Sequence, residues 1–590
     1  MSGKVLEAEK WSHPDNKSRT VAHYWHIWNT ARQSWRDEHR ELRAFLFATD
    51  TRKTSTGTNG WKNSTTLPKL TQIRDNLHAN YLSALFPNED WLRWEAHSKE
   101  DNTKQKRDAI LGYVQNKAQE GNLRQVASDL LYDYIDYGNA FAQVRFAEKV
   151  KDDIDDADKV IAQYTGPEVV RIDPNSIVFN PLVEKFEDSP VIIRELTTMG
   201  ELKAEAEDYP DDREWMEAVT KAEDIRREAR GWTTQDVEHI NSGFFVDGFG
   251  NYMDYLRSGQ VEILRFYGDY HDVETGEFKR NVEIIVMDRL HLVKERPQQQ
   301  WQKRSIFHVG WRKRPDNLWS MGPLDNLIGM QYRIDHLENL KADAFDMIAF
   351  PMVVKRGEVS DFDYMPGEEI EVGDDGSVEF LRPDTTALNA DFQIQELMNK
   401  MEEFAGAPRE AMGIRSPGEK TAFEVQQLVT AAGRIFQEKI STFELSLLEP
   451  VLNAMLESAR RNLNFTDLIR VYDNDSGIDK FLQVTKEDIT ASGVLRPIGA
   501  RHFSEQAQNM QNLLGVMNSP LGQMIQKHMK TTSVAKMLED TMGLGKYELF
   551  EENAYISEQM REREQQVSAE EAMQQRMGSM MEENVDDSQQ

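Results

Sequence analysis

The amino-acid sequence predicts an α+β fold in a chain of 590 residues, long enough for several domains or one elongated subunit. Short β-branched runs, separated by Gly, Pro, Asn and Asp, recur between residues 139 and 311. Apolar residues at helical spacing precede this region and return after about residue 323. These patterns predict a mixed body of helices and strands, followed by long helices.

The composition limits which functions the chain can have. Hydrophobic residues make up 39% and charged residues 29%, and the formal net charge is −31. A protein that grips DNA tightly needs a basic surface, so we expect this chain to avoid nucleic acid or to handle it loosely. Cysteine is absent, which excludes disulfides and thiolate metal sites and fits a reducing cytoplasm. We expect neither a signal peptide nor a membrane helix, which needs roughly 20 apolar residues.

Helices are predicted along the first part of the chain. Trp25, Trp28 and Trp35 recur at helical spacing among charged residues, which predicts a helix over 15–48 with a Trp-rich core face. A polar stretch at 51–65 predicts a loop. Further helices are predicted at 67–85, 101–119 and 122–136.

The period then changes to that of strands. Strands are predicted at 139–146, 168–172, 176–179, 190–196, 260–268, 281–287, 289–295 and 305–311. An acidic insert at 151–159 predicts a loop, and the charged segment 199–230 predicts a helix.

A long amphipathic helix is predicted over about 323–348. Its apolar stripe comprises Leu327, Met330, Ile334, Leu337, Leu340, Ala344 and Ile348. The opposite face carries Asp325, Arg333, Asp335, Glu338, Asn339 and Asp343. Because such a helix is about 40 Å long and thin, we expect that one subunit cannot bury the stripe alone. Neighbouring copies would bury it, and a closed ring would turn the charged face towards its lumen, where carboxylates repel phosphates.

A small β unit and two further helices follow this helix. Pro351 predicts a break, and short strands are predicted at 352–356, 368–373 and 377–381, with a turn between the last two. A helix is predicted over 389–405, and then a loop. The longest helix is predicted from Thr421 to Asn462, with a kink at Pro450 because proline cannot donate to the carbonyl four residues earlier. A strand pair is predicted near 466–484, and helices ending in an acidic tail beyond 499.

No motif supports a catalytic site. The segment GIRSPGEKT at 413–421 resembles a P-loop, but Glu419 separates Gly418 from Lys420 and places a carboxylate where phosphate would bind. The acidic set Asp473, Asp475 and Asp479 lacks the glycine and glutamate positions of a calcium loop. His23 and His26 have metal-like spacing on a helix, where packing is the commoner reason. We therefore expect no catalytic residues, no cofactor and no metal, and a protein that is not an enzyme.

Five passages carry a recognisable order of elements, at 133–146, 169–181, 261–279, 311–345 and 419–436. Their order resembles that in the portal proteins of tailed bacteriophages, particularly short-tailed ones. The resemblance covers roughly residues 20–500, and its specificity comes from the joint order of these passages, because none is a catalytic fingerprint. It implies a wing at 1–322, stem helices at 323–349 and 391–405, a clip at 350–390, a tunnel loop at 406–420, a kinked tunnel helix and wing return at 421–498, and a C-terminal crown at 499–590.

The resemblance also implies a function and partners. The expected role is a ring, of twelve copies in this family, at one capsid vertex, through which double-stranded DNA is packaged and ejected. The implied partners are the terminase large subunit, the major capsid and scaffold proteins, and tail adaptor proteins, with no membrane. The expected location is the virion, and the host cytoplasm during assembly. The alternatives are a DNA-packaging or DNA-processing enzyme, and an internal capsid scaffold.

The loop at 406–420 generates a first prediction, because Arg409, Arg415 and Lys420 concentrate positive charge in an acidic chain. Exposed cations in a ring would touch DNA weakly, and salt would screen each contact. Substituting all three with Ala should leave ring assembly intact but change packaged-genome length or increase DNA leakage from the phage. Wild-type values of both quantities would make 406–420 an ordinary surface loop.

Overall fold

A computed structural model of the chain describes residues 16–48, 63–86, 91–98, 101, 103–152, 160–208, 213–229, 255, 259–271, 276–289, 291–297, 305–362, 369–381, 389–406, 435–463, 467–473 and 478–498. Contacts divide the chain into two units, residues 1–469 with 482–500, and residues 470–481 with 501–590. The description below concerns the first unit, apart from the strand ribbon that includes part of the second.

The described chain is a mixture of helices and strands, so the predicted α+β class is confirmed. The helices are α1 (Asn16–Ala31), α2 (Gln33–Leu46), α3 (Lys69–Leu85), α4 (Lys104–Glu120), α5 (Leu123–Asp136), α6 (Met199–Asp208), α7 (Arg213–Ala229), α8 (Ile328–Ala349), α9 (Ala390–Phe404), α10 (Glu449–Asn462) and α11 (Lys486–Ile489). The strands are β1 (Leu92–Ala96), β2 (Asn139–Asp152), β3 (Val160–Ile172), β4 (Ile177–Phe179), β5 (Val191–Thr198), β6 (Gln260–His271), β7 (Phe278–Met287), β8 (His291–Pro297), β9 (Ile306–Gly310), β10 (Met352–Arg356), β11 (Ser377–Leu381), β12 (Asp467–Asp473), β13 (Ile478–Val484) and β14 (Gly493–Pro497).

The largest sheet has five antiparallel strands in the order β4-β5-β6-β7-β8. Helix α1 covers one face, where Trp25 packs in a buried cluster with Phe266. Helices α6 and α7 cover part of the other face, where Trp215 packs with Ile263. Because successive strand residues point to opposite faces, a sheet covered on both sides needs strands that are apolar in nearly every position. The run at 261–267 has this composition.

A second sheet has the order β3-β2-β9 and packs with the first through aromatic side chains. Trp319 lies between Trp35 of α2 and Phe141 of β2, with ring centroids 4.3 Å and 5.8 Å away respectively. Trp25 and Trp35 near the N-terminus therefore belong to the core, as the sequence predicts. Two-stranded ribbons complete the sheet content, formed by β1 with β14, β10 with β11, and β12 with β13.

One buried arginine interrupts the predicted helix over 15–48, which the structure divides into α1 and α2. Arg32 is 2% exposed. Its guanidinium donates to the backbone carbonyls of Pro174, Asn175 and Ile177 at 2.7, 2.5 and 2.6 Å. These carbonyls belong to the turn between β3 and β4, so Arg32 fastens the N-terminal helices to the body.

The turn between β7 and β8 contains two non-glycine residues with left-handed backbone, Asp288 (φ 52°) and Arg289 (φ 63°). The Arg289 guanidinium donates to both oxygens of buried Glu262 at 2.6 and 2.9 Å. Arg226 pairs with Asp288 at 3.1 Å. These ion pairs stabilise a turn whose left-handed backbone glycine adopts more readily than other residues.

The long helix after residue 421 is described from residue 435. Residues 435–443 are α-helical, Glu444–Leu448 form a π-helical turn, and α10 follows with Pro450 in its first turn. Proline lacks the N–H that would reach Ser446, and a wider turn before it accommodates the missing bond. The helix thus departs from α geometry beside the predicted kink.

Several described elements differ from the predicted ones: β1, β14 and α11 were not predicted, and β2 extends to Asp152, within the acidic segment predicted as a loop. The segment 368–373 does not form a strand in its described residues, and only Val372 makes an isolated bridge, to Val359. The predicted turn before β11 is present at Asp374 and Asp375. A run of six residues with three glutamates was too weak a signal to separate a strand from an extended loop.

Arg32 provides a test of how the N-terminal helices are attached. Arg32→Ala leaves three backbone carbonyls without their charged donor, and the unfolding free energy should fall by roughly 3 kcal/mol, measured by urea denaturation. Arg40→Ala, on the exposed side of α2, is the matched control and should change it by less than about 0.5 kcal/mol. Equal losses in the two variants would contradict a structural role for the buried guanidinium.

Candidate subunit interface

Helix α8 starts from a tightly packed junction with the body. Gly138 has left-handed backbone (φ 65°), and a Cβ there would lie 2.4 Å from the Gly322 nitrogen. The Asn139 amide donates to the Ser320 carbonyl at 2.8 Å and accepts from the Ser320 N–H at 3.0 Å. Side chains larger than hydrogen would separate these two backbones, so the start of α8 is fixed relative to β2.

A carboxylate at the base of α8 adds a second attachment. Asp325 accepts from the Gly322 N–H at 2.7 Å and lies 3.5 Å from Nε2 of His39 on α2. Nδ1 of His39 lies 2.7 Å from the Trp35 carbonyl, which can only accept, so Nδ1 carries the proton. Burial raises the pKa of Asp325, and the neighbouring His39 opposes that shift.

One side of α8 binds an extended segment through a series of side-chain hydrogen bonds, which we call the polar ladder. The segment, residues 63–67, is termed the strap. The bonds are Asn63 N–H to Asp343 (2.9 Å), Asn63 Nδ2 to Asp343 and Asp346 (2.8 and 3.2 Å), Thr65 N–H to Asn339 (2.8 Å), Asn339 Nδ2 to the Thr65 carbonyl (3.0 Å), Leu67 N–H to Asp335 (3.0 Å), and Gln331 Nε2 to the Leu67 carbonyl (2.5 Å).

The polar ladder forms because the spacing of alternate residues along the strap matches the spacing of every fourth residue along α8. Alternate residues of an extended chain are about 6.6 Å apart. Every fourth residue of a helix advances about 6 Å and stays on nearly the same side. Residues 63, 65 and 67 of the strap therefore face residues 343, 339 and 335 of α8 in turn. Backbone groups that would need a strand partner receive amide and carboxylate partners instead.

Asp335 is the most enclosed carboxylate of the ladder. Its side chain is 1% exposed. One oxygen accepts from the Leu67 N–H and from Nε2 of Gln331 at 2.8 Å, and the other oxygen is buried without a hydrogen-bond partner. Burial raises the pKa of Asp335 to about 6, although the two hydrogen bonds oppose the shift. The proton-bound form is thus accessible near neutral pH.

Helix α9 packs on another side of α8. Lys341 forms ion pairs with Asp391 of α9 at 2.7 Å and with Glu338 at 2.9 Å. Both carboxylates raise the pKa of Lys341, and the hydrogen bond to Asp391 is the main cause. At the other end of α9, Glu402 forms a buried ion pair with Lys69, the first residue of α3. The strap and α9 therefore each hold one side of α8, and the Lys69–Glu402 pair joins α9 to α3.

A third side of α8, which we call the open face, remains uncovered. Arg333, His336, Leu340 and Met347 share this side because they are spaced by three, four and seven residues. Leu340 is 40% and Met347 45% exposed. Burial and the charge of Arg333 lower the pKa of His336, which favours its neutral form. The open face is thus partly apolar and carries one fixed positive charge.

The ribbon after α8 is also uncovered. No residue of β10 or β11 is buried. Exposed large apolar side chains in and near the ribbon are Phe345, Phe350, Met352, Val372, Phe380, Leu381 and Phe392. More than half of the exposed large apolar side chains in the described residues lie between 332 and 404. A two-stranded ribbon is marginally stable in water unless something covers it.

The structure corrects the predicted interface stripe. Leu327 and Ile334 are fully buried within the chain and Leu337 is 9% exposed, so the expectation that one subunit cannot bury this stripe is wrong for these three residues. Met330 is half-buried. Leu340 alone among the five predicted contacts keeps a largely exposed side chain.

The predicted charged face is also corrected. Asp335 and Asn339 are buried, and Asp343 is partly buried, because all three bind the strap. They cannot line a lumen. Residues 63–65 of the strap were predicted as the end of a polar loop and Leu67 as the start of a helix, which the structure begins at Lys69. Only the four-residue spacing of Gln331, Asp335, Asn339 and Asp343 in the sequence hinted at a bonded side of α8.

Several other predicted positions can be located only in part. Arg409, Arg415 and Lys420 lie outside the described residues, as does the P-loop-like segment 413–421. His23 and His26 are both exposed on α1. Within the ranges that the structure describes, no three His, Asp or Glu side chains are grouped to hold a metal ion. Among the described helices, none has both the length and the apolarity to cross a bilayer.

No known family model matches this sequence, and a search of curated proteins finds no significant match.

The ladder generates a stability prediction at its central residue. Asn339 is fully buried and satisfies both the N–H and the carbonyl of Thr65, so Asn339→Ala should lower the unfolding free energy by about 2 kcal/mol in urea denaturation. Glu338→Ala, at the adjacent and more exposed position, is the control, with an expected change below about 0.5 kcal/mol. If both variants unfold at the wild-type urea midpoint, the ladder does not hold the strap.

Proposed function

We propose that this chain is a portal subunit, which forms a ring at a capsid vertex through which double-stranded DNA enters and leaves a phage head. The observation that carries the proposal is the uncovered apolar surface of the open face and the β10–β11 ribbon. A soluble chain rarely keeps so many large apolar side chains in one stretch without a partner. The partner we propose is a second copy of the same chain.

Two features favour a copy of the chain over an unrelated partner. The hairpin formed by α8 and α9 presents the open face on one helix, and exposed Phe392 and Phe404 on the other. Different surfaces of one subunit can meet in a head-to-tail contact, and such contacts close into rings when the rotation permits. The ribbon at the end of the hairpin would then repeat around the ring, where the resemblance to portals implies docking of terminase and tail adaptors.

The charge of the chain suits a channel that conducts DNA. With a net charge of −31 per subunit, a ring has little attraction for phosphate, so DNA would move rather than bind. The carboxylates of the polar ladder bind the strap and are not available to face a channel. We therefore propose that contacts with DNA in the channel come from the loop at 406–420.

No described feature favours an enzyme over a ring subunit. An ATPase assay separates the proposal from a packaging motor, because a ring subunit should not hydrolyse ATP. Negative-stain imaging separates it from a scaffold, because only a portal should give annular particles.

The open face generates the decisive prediction. The double variant Leu340→Asp and Met347→Asp places charge at exposed sites, so folding should persist while the ring dissociates towards the 68.2 kDa monomer in mass photometry. Leu196→Asp, at a 49% exposed leucine of β5, is the matched control and should leave assembly unchanged. Rings of wild-type mass from the double variant would show that the open face is not the subunit contact.

A further inference from the structure

We infer that the strap is a pH-dependent fastening, which holds α8 more tightly as the pH falls, and that Asp335 is the group responsible. This inference is independent of the proposed function, since it concerns contacts within one chain. It rests on the geometry of the polar ladder and on the enclosure of one of its carboxylates.

The strap is held mainly by side chains of α8, so its attachment depends on their protonation state. Asp335 stands at the end of the ladder next to Leu67 and is the fully enclosed carboxylate, whereas Asp343 is partly exposed and receives two hydrogen bonds from Asn63. An ionised Asp335 leaves one buried oxygen without a donor. Burying such a charge is costly, and a proton removes the charge.

The direction of the pH effect follows from the pKa of Asp335 in the two states. Its ordinary value is 3.8, and burial in the strapped state raises it to about 6. Between these values, the strapped state binds a proton that the released state does not. Acidification through this window therefore favours the strapped state, and raising the pH above about 6 withdraws that contribution.

Other charged groups near the ladder have partners of their own. Lys69 and Glu402 form an ion pair with each other where α3 meets α9. Asp343 and Asp346 both bind Asn63 at the far end of the strap. His336 lies on the open face rather than on the ladder side of α8, and burial and the charge of Arg333 lower its pKa.

The fastening determines how α8 is oriented. The ladder occupies one side of the helix and α9 another, so the strap fixes which side is open. Releasing the strap would uncover the ladder side of α8 next to the open face, while Gly138, Asn139 and α9 still hold the helix. A modest change in pH would thereby change how much of α8 is exposed without altering any residue of the open face.

Hydrogen exchange of the backbone amides of Thr65 and Leu67 tests the inference directly, because the ladder protects both. In the wild-type protein, protection corrected for intrinsic exchange should fall roughly tenfold between about pH 5 and pH 8, from the two pKa values above. In Asp335→Asn, which keeps the accepting oxygen without the charge, protection should be independent of pH. Asp343→Asn makes the same change at a partly exposed carboxylate and should retain the wild-type pH dependence.

Mass photometry at each pH should accompany the exchange, so that only samples of the same oligomeric state are compared. Wild-type protection that does not vary with pH would overturn the inference, and this measurement needs no variant to fold. A tenfold fall that persists in Asp335→Asn would also overturn it, because another group would then be responsible. Either result would leave the ring proposal untouched, which the Leu340 and Met347 variants test separately.

Discussion

Helix α8 is held to an extended segment by its own side chains, and the arrangement of the hairpin depends on this constraint. A backbone N–H that lies against a helix needs an acceptor, and residues 63, 65 and 67 receive theirs from Asp343, Asn339 and Asp335. That side of α8 can therefore face neither solvent nor another subunit. With α9 on a second side, a single open face is left, and it is the face that we propose for subunit contact. The helix that the sequence presents as a plain amphipathic stripe thus has one side bound to the strap, one side packed on α9 and one side left open.

The body of the fold positions both partners of this contact, α8 and the strap. Close approach of Gly138 to Gly322 and the hydrogen bonds of Asn139 hold the start of α8 against β2. The buried pair of Lys69 and Glu402 joins α3, which continues from the strap, to α9. A rigid hairpin would suit the proposed ring subunit, since neighbouring copies would meet the same surface in the same orientation.

The candidate site was predictable only in outline. Spacing alone located a helix around Leu327 to Leu340, but spacing cannot distinguish an apolar side chain buried by its own chain from one buried by a neighbour. Leu327 and Ile334 are covered within the subunit, whereas Leu340 is open. The partner of Asn339 is more than 270 residues away in sequence. Local patterns carry no signal for such a contact, because the strap is polar, short and without periodicity.

The sequence by itself determined the α+β class, the position of most described helices and strands, though not of β1, β14 or α11, and the disturbance of helix geometry beside Pro450, since these follow from local spacing and backbone chemistry. It also determined the acidic charge and the absence of cysteine. Tertiary structure alone decided that Arg32 divides the first helix and that Asp335 is buried. It alone decided which side of α8 is open. Each of these depends on groups distant in sequence, whose hydrogen bonds and burial exist only after the chain has folded.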